Sequence, residues 1–180
     1  GGRAPLEWAA NLGSGRVGEL LLERGAGRHS LWTAAALGRL EEVMALLAGG
    51  GAEADGAPGP LARRPSPEAD LSGWPEDTAF RRGDALSDAF YIACRNGHTE
   101  TARALAAAGA EAGAKGYFGA SALHWAAIGG HEEVVRWLVA AGAPLRDRDP
   151  KFDATPAGWA REGGHAGLAD FLERAAEGAP

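Results

Sequence analysis

The chain has 180 residues, 28 of them Gly and 10 Pro, and a formal net charge of −6. This length fits one domain with a buried core, whereas five Val and two Ile against 41 Ala argue against a fold built from β-strands. The acidic balance argues against nucleic acid as the main partner, and the sequence contains no apolar run long enough to span a membrane.

The first two predicted helix pairs occupy residues of about 5–28 and 29–50. The first pair starts at Leu6, and a Gly-Ala pair at Gly25 ends it. The second pair starts at Leu31, so the connection before it is short. Helices of this length are unstable in isolation, and we therefore expect the pairs to stack on one another.

An insertion is predicted at about 51–84. Gly38 and Gly97 occupy the same place in consecutive pairs, yet one repeat plus most of another separates them, and the insertion holds five of the ten Pro. This composition predicts a surface loop that orders only in part, and a functional arm is the alternative. Three apolar residues are candidates to dock the loop against the helices: Leu71, Trp74 and Phe80.

Three further pairs are predicted at about 85–116, 117–150 and 151–176. A Gly-His pair recurs in each of them at nearly even steps, and its histidines are His98, His131 and His165. The interval from the leading apolar residue to the Gly-Ala pair is also the same from Leu123 to Gly142 as from Leu6 to Gly25. A nearly constant period of this kind predicts one structural unit repeated along the chain.

The fourth unit shows how each repeat is expected to fold. Leu123, Ala126 and Ala127 form the apolar face of a short helix, and Gly130 ends that helix in the left-handed conformation. The second helix then carries one apolar stripe, made of Val134, Val135, Leu138 and Val139.

Several short motifs lie at matching places in consecutive units. They include the run Ser121-Ala122-Leu123-His124, the N-cap pair Thr155-Pro156, and the recurring Ala-Ala, Gly-His and Gly-Ala pairs. With these motifs the chain resembles the ankyrin-repeat family over roughly residues 5–50 and 85–175. A Trp two positions after the leading apolar residue resembles many bacterial members, and this chain has Trp8, Trp125 and Trp159 there.

The resemblance implies an all-α fold, an ankyrin-repeat solenoid of stacked helix-turn-helix units with short hairpin-like connectors. It also implies one domain over residues 1–180. Family members generally bind other proteins through the concave face and the hairpin tips, so the resemblance implies the same for this chain.

Potential catalytic and metal-binding residues have simpler explanations. The three Gly-His histidines lie one repeat apart, about 10 Å, which is too far to share a zinc ion. Cys94 replaces a small buried Ala of the repeat, and His124 is placed to hydrogen-bond near a helix start. We therefore predict no catalytic residues, no metal, no cofactor and no enzymatic activity.

The predicted binding surface lies on two hairpin tips and on one inner helix. Aromatic and cationic residues there are of the types that anchor interfaces: Arg95, Asn96, Lys115, Tyr117, Phe118, Arg148, Lys151 and Phe152. Two alternatives remain open. Phe118 and Phe152 could instead pack between the tips, and the mixed charges of residues 146–151 could simply be solvated.

The sequence therefore predicts a monomeric, cytoplasmic module that binds another protein of unknown identity. Arg outnumbers Lys 16 to 2, which favours a bacterial source, and the first residue is Gly rather than Met, as expected for a piece of a longer chain. The alternative function is a regulatory or scaffold segment of a larger, possibly enzymatic, chain.

Overall fold

The computed structural model describes residues 5–6, 9, 12–25, 30–49, 79 and 84–178. Within them lie one isolated antiparallel bridge, a short 3₁₀ turn (Tyr117–Gly119) and nine α-helices. The helices are α1 (Gly15–Glu23), α2 (Leu31–Ala36), α3 (Leu40–Ala48), α4 (Ala85–Arg95), α5 (Thr99–Ala107), α6 (Ala122–Ile128), α7 (Glu132–Ala140), α8 (Pro156–Glu162) and α9 (Ala166–Gly178).

The helices form two stacked layers. In the inner layer α2 packs on α4, α4 on α6, and α6 on α8, while in the outer layer α3 packs on α5 and α5 on α7. Each inner helix also packs on the outer helix that follows it in the chain. This arrangement confirms the predicted all-α stack of helix pairs, whereas the exact borders of the five units stay a prediction.

The stack continues across the predicted insertion, because α2 contacts α4 directly although the insertion separates them in sequence. Ala79, near the end of the insertion, is fully buried, and its backbone N–H donates to the carbonyl of Lys115 at 3.1 Å. The proposed docking residues Leu71, Trp74 and Phe80 lie outside the described residues, as does Trp8.

Local sequence explains where the inner helices begin. Ser30 caps α2, and Thr33 completes a capping box with it. The hydroxyl of Thr155 accepts from the N–H of Gly158 at 3.3 Å, and Pro156 occupies the first turn of α8, where the missing N–H costs nothing. The predicted N-cap at Thr155 is therefore confirmed.

The core consists mainly of Ala and a few larger side chains. Ala126 and Ala127 are fully buried in α6, and small side chains let neighbouring helices approach closely. The predicted stripe of α7 is confirmed, since Val134, Val135 and Leu138 are fully buried and the half-buried Val139 packs against the core. Within the described residues, no helix combines the length and the apolar character that crossing a bilayer requires.

The Gly-His turns join each helix pair to the pair before it. The rings of the three histidines lie against the preceding turn, so that His98 faces Gly38, His131 faces Gly97 and His165 faces Gly130. These glycines have φ of +70°, +81° and +68°, a conformation that other residues adopt at a cost. A Cβ atom at Gly38 or Gly97 would also lie 2.5 Å from the facing ring.

Hydrogen bonds strengthen the step between the second and third pairs. Nε2 of His98 lies 3.1 Å from the carbonyl oxygen of Ala36, and Nδ2 of Asn96 donates to the same oxygen at 2.8 Å. The Gly-His histidines are therefore structural side chains of the stack.

Arg39 lies at the corresponding turn of the second pair, where the later pairs have His. Its guanidinium donates to both carboxylate oxygens of Glu19 in α1, at 3.0 and 2.8 Å, and to Glu42 at 2.8 Å. The hydrogen bonds to Glu19 and Glu42 raise the pKa of Arg39 above its ordinary value. A bidentate ion pair thus ties α1 to the second pair.

Helix α4 differs from the other inner helices at its start. It has 11 residues against 7 in α6 and α8, and Asp84 caps it by accepting from the N–H of Ser87 at 2.9 Å. The first turn is buried, with Ser87 and Asp88 at 1% and 5% exposure. Asp84, the last residue of the predicted insertion, therefore already belongs to the start of a helix.

Candidate functional site

Two loops project from the stack between consecutive helix pairs. We call residues 115–121, before α6, finger 1, and residues 149–155, before α8, finger 2. In finger 1, Lys115 and Ser121 form the antiparallel bridge, and the N–H of Gly116 donates to Ala120 O at 2.9 Å. The backbone N–H of Tyr117 donates to the hydroxyl of Tyr91 at 3.1 Å, which fixes the tip to α4.

The tip of finger 1 has an unusual backbone. Phe118 has φ of +63°, a value that a bulky side chain rarely adopts and that costs on the order of 1–3 kcal/mol. The neighbouring Gly119 has φ of +71°. At the base, the Tyr91 ring lies so close to Gly116 that no side chain fits there. The chain thus holds Phe118 in a costly conformation at a defined place.

Finger 2 is organised around the buried carboxylate of Asp149, which is only 1% exposed. It accepts from the N–H groups of Lys151, Phe152 and Ala154 at 3.0, 2.7 and 3.2 Å, and from the indole N–H of Trp159 at 2.8 Å. Burial alone would raise the pKa of Asp149, but these four donors outweigh it and lower the pKa. The interpretation of residues 146–151 as simply solvated is therefore wrong for Asp149.

Aromatic rings from both fingers and two inner helices form one continuous row. The ring centroids of Tyr117 and Phe118 are 3.9 Å apart, those of Phe118 and Phe152 5.6 Å, and those of Phe152 and Trp159 5.9 Å. Trp159 then contacts Trp125 of α6 at 4.9 Å. We call these five residues the aromatic surface, in which Trp159 is the buried member at 5% exposure.

Two cations lie on the aromatic surface. The ammonium of Lys151 is 3.5 Å from the ring centroid of Phe118 and 5.4 Å from that of Phe152. The guanidinium of Arg95, at the end of α4, is 4.1 Å from the ring of Trp125. Both contacts have the geometry of cation–π interactions.

The alternative that Phe118 and Phe152 pack between the tips is partly realised. The rings do pack against each other between the fingers, at an interplanar angle of 85°. Phe152 nevertheless remains 58% exposed, and Tyr117, Phe118 and Trp125 are half-buried. Packing between the fingers therefore leaves a substantial aromatic area open to solvent.

Five of the eight predicted binding residues come together on this surface: Arg95, Tyr117, Phe118, Lys151 and Phe152. Lys115 lies at the base of finger 1 and is half-buried. The side chain of Asn96 bonds to the preceding turn, and Arg148 donates to the carbonyl of Asp153 at 2.7 Å and lies 3.3 Å from its carboxylate. The side chains of Asn96 and Arg148 therefore support the fold.

Trp125, Trp159 and Asp149 are not among the residues predicted to bind a partner. The signal for the two tryptophans was their equivalent position in consecutive units. For Asp149, the signal was an Asp-Pro pair shortly before the helix cap at Thr155. Neither signal shows by itself that Trp159 would hydrogen-bond to Asp149.

The residues with potential chemistry have structural partners. The N–H of Ser121 donates to Nδ1 of His124 at 3.2 Å, so the imidazole proton lies on Nε2, which donates to Ala154 O at 3.1 Å. Burial lowers the pKa of His124, and the bond to Ala154 opposes that shift in part. This confirms the predicted role of His124 at the helix start.

Cys94 is fully buried in α4, and burial raises its pKa well above the ordinary value of a thiol. A buried thiol of this kind does not act as a nucleophile at neutral pH. Over the part of the chain that the structure describes, no three His, Cys, Asp or Glu side chains converge as metal ligands would. The arrangement is suited to contact with a partner through aromatic rings and cations.

A comparison with protein families found that residues 80–149 match a model of ankyrin repeats (three copies). A comparison with curated proteins gave no match. The matched segment contains α4 to α7 and finger 1, which are the elements that carry Arg95, Trp125 and Tyr117. Ankyrin repeats are generally modules for protein–protein interaction and are typically not catalytic. Because the stacked helix pairs agree with this match, residues 80–149 form ankyrin repeats.

Proposed function

We propose that this chain binds another protein through the aromatic surface of its two fingers and inner helices. The observation that carries the proposal is the continuous row of five rings, which includes Phe152 at 58% exposure and is flanked by Lys151 and Arg95. Aromatic and cationic side chains of this kind dominate the energy of protein interfaces.

The fingers are held in place before a partner arrives. Asp149 binds three backbone N–H groups of finger 2, and Tyr91 holds the tip of finger 1. Little conformational entropy is therefore lost when a partner binds, and preorganisation of this kind increases affinity.

The test is capture of the native partner by a double variant of the fingers. Tyr117→Ala with Lys151→Glu removes one ring and reverses one cation on the aromatic surface. We expect retention of the partner to fall at least about tenfold, since hot-spot residues cost about 2 kcal/mol or more each. Circular dichroism should show unchanged helix content, because neither side chain is buried in the core.

A matched control changes the same chemistry on the outer helices. Met44→Ala with Arg103→Glu removes one exposed apolar side chain from α3 and reverses one exposed cation in α5. This control should retain the partner as the unmodified chain does. Equal retention by the finger variant and the control would show that the partner binds elsewhere.

A further inference from the structure

We propose that Lys151 on finger 2 receives a carboxylate from the partner, and that an apolar side chain next to this carboxylate packs on Phe152. The partner would thus contribute an extended acidic-apolar segment of a protein. This inference rests on the proposed function and narrows the chemistry of the segment that the fingers recognise.

The Lys151 ammonium is placed to receive a carboxylate from outside the chain. It lies over the ring of Phe118 at 3.5 Å and is exposed to solvent. Over the part of the chain that the structure describes, no carboxylate lies within ion-pair distance of it. The nearest acids in sequence are already engaged, since Asp149 accepts four hydrogen bonds and Asp153 lies 3.3 Å from Arg148.

The electrostatics of the two phenylalanine rings explains how Lys151 is held. The face of an aromatic ring is negative and its edge is positive. The face of Phe118 therefore attracts the ammonium of Lys151 and holds it near Phe152, whose ring lies at 85° to that of Phe118. A carboxylate at this site meets a cation that the Phe118 ring holds in place.

Phe152 provides an apolar area beside the Lys151 cation. Phe152 is the most exposed aromatic ring of the surface, at 58%, and its ring centroid is 5.4 Å from the Lys151 ammonium. A leucine or aromatic side chain adjacent to the carboxylate would cover this ring and remove water from the ion pair. Charge interactions strengthen when water is removed.

Lys151 is the cation of finger 2, whose other charged residues are Asp149 and Asp153. Because Asp149 is buried and Asp153 pairs with Arg148, Lys151 is the charged group of finger 2 that can pair with a partner's carboxylate. Charge complementarity at one place favours one register of a bound segment.

The experiment measures the affinity of three capped octapeptides by isothermal titration at low salt. In the first, leucine alternates with glutamate; in the second, with glutamine; in the third, with lysine. We expect the glutamate peptide to bind about three- to tenfold more tightly than the glutamine peptide, the range for a partly exposed charge pair. The advantage should shrink as salt is added.

Three variants of the full chain assign the effect to residues. Lys151→Gln should bring the glutamate peptide down to the affinity of the glutamine peptide. Phe152→Ala should weaken both peptides by a similar factor, because it removes apolar contact. Arg103→Gln, a matched change in α5, should leave both affinities unchanged.

Equal affinity for the glutamate and glutamine peptides would overturn the inference, as would an acid preference that survives in Lys151→Gln. Tighter binding of the lysine peptide, or no binding of the glutamate peptide at all, would overturn it as well. None of these results bears on capture of the native partner by the double variant, so the proposed function is tested separately.

Discussion

Side-chain rings have different roles at the Gly-His turns and at the two fingers. At the turns, each ring faces a glycine of the preceding pair, and His98 lies 3.1 Å from the carbonyl of Ala36. At the fingers, Phe152 packs on a neighbour yet stays 58% exposed. The turns therefore hold the stack together, whereas the fingers present side chains outward from a backbone that buried groups fix.

The largest loss in the free energy of unfolding is expected at Asp149, the buried group that organises finger 2. Asp149→Ala leaves three backbone N–H groups and the indole N–H of Trp159 without their acceptor. We expect a loss of about 3 kcal/mol in the free energy of unfolding, since hydrogen bonds to a charged group contribute about 1.5–3 kcal/mol each and are not additive. Urea denaturation of the full chain measures this loss.

Asp147→Ala is the control for this variant, because Asp147 is exposed in the same loop. It should change the stability by less than about 0.5 kcal/mol. If both variants lose the same small amount, Asp149 does not organise finger 2.

A smaller loss of stability is expected where a side chain is added at a closely packed Gly-His turn. At Gly163 a Cβ would collide with the carbonyl group of Ile128, with the carbonyl carbon at 3.0 Å, so Gly163→Ala forces two helix pairs apart. Overpacking of this kind costs about 1–3 kcal/mol. Gly167→Ala in α9 is the control, because no atom lies within 4 Å of that Cβ.

Gly167→Ala should leave the stability equal or higher, since Ala is favoured over Gly in a helix. Thermal unfolding followed by circular dichroism compares the two variants. A Gly163→Ala protein as stable as the Gly167→Ala protein would show that the turns are not closely packed.

The stability of the stack should also depend on pH, with a smaller change. Burial lowers the pKa of His98 and His131, while bonds to the carbonyls of Ala36 and Arg95 oppose the shift and a neighbouring His adds to it. As the pH falls below about 6.5, the ordinary pKa of histidine, the unfolded chain takes up protons that the folded chain does not. The urea midpoint should therefore be lower at pH 5.5 than at pH 7.5, and an equal or higher midpoint at pH 5.5 would contradict the structural role of these rings.

Much of the fold could be predicted from the sequence, because the repeat places the same residue types at the same turns. Gly130, His124 and Thr155 each perform the local role that their positions predicted. Local rules of helix capping and glycine conformation are enough for such residues.

The candidate site could be predicted only in part, because it depends on contacts between units. The sequence indicated that Phe118 and Phe152 lie on the tips, but not that Trp159 connects them to Trp125. Asp149 is buried because finger 2 folds around its carboxylate and because Trp159 of the next helix donates to it. No local sequence pattern encodes these contacts. The longer start of α4 also depends on contacts that the repeat pattern does not contain.

The smallest effect on stability should come from the aromatic surface itself, where binding and stability can be separated in one variant. Phe152→Ala should be measured in one experiment for its melting temperature and for retention of the native partner. We predict a change of at most about 1 kcal/mol in stability, since the ring is more than half exposed, together with a loss of the partner. A protein that melts much earlier but keeps its partner would show that the finger rings serve the fold rather than binding.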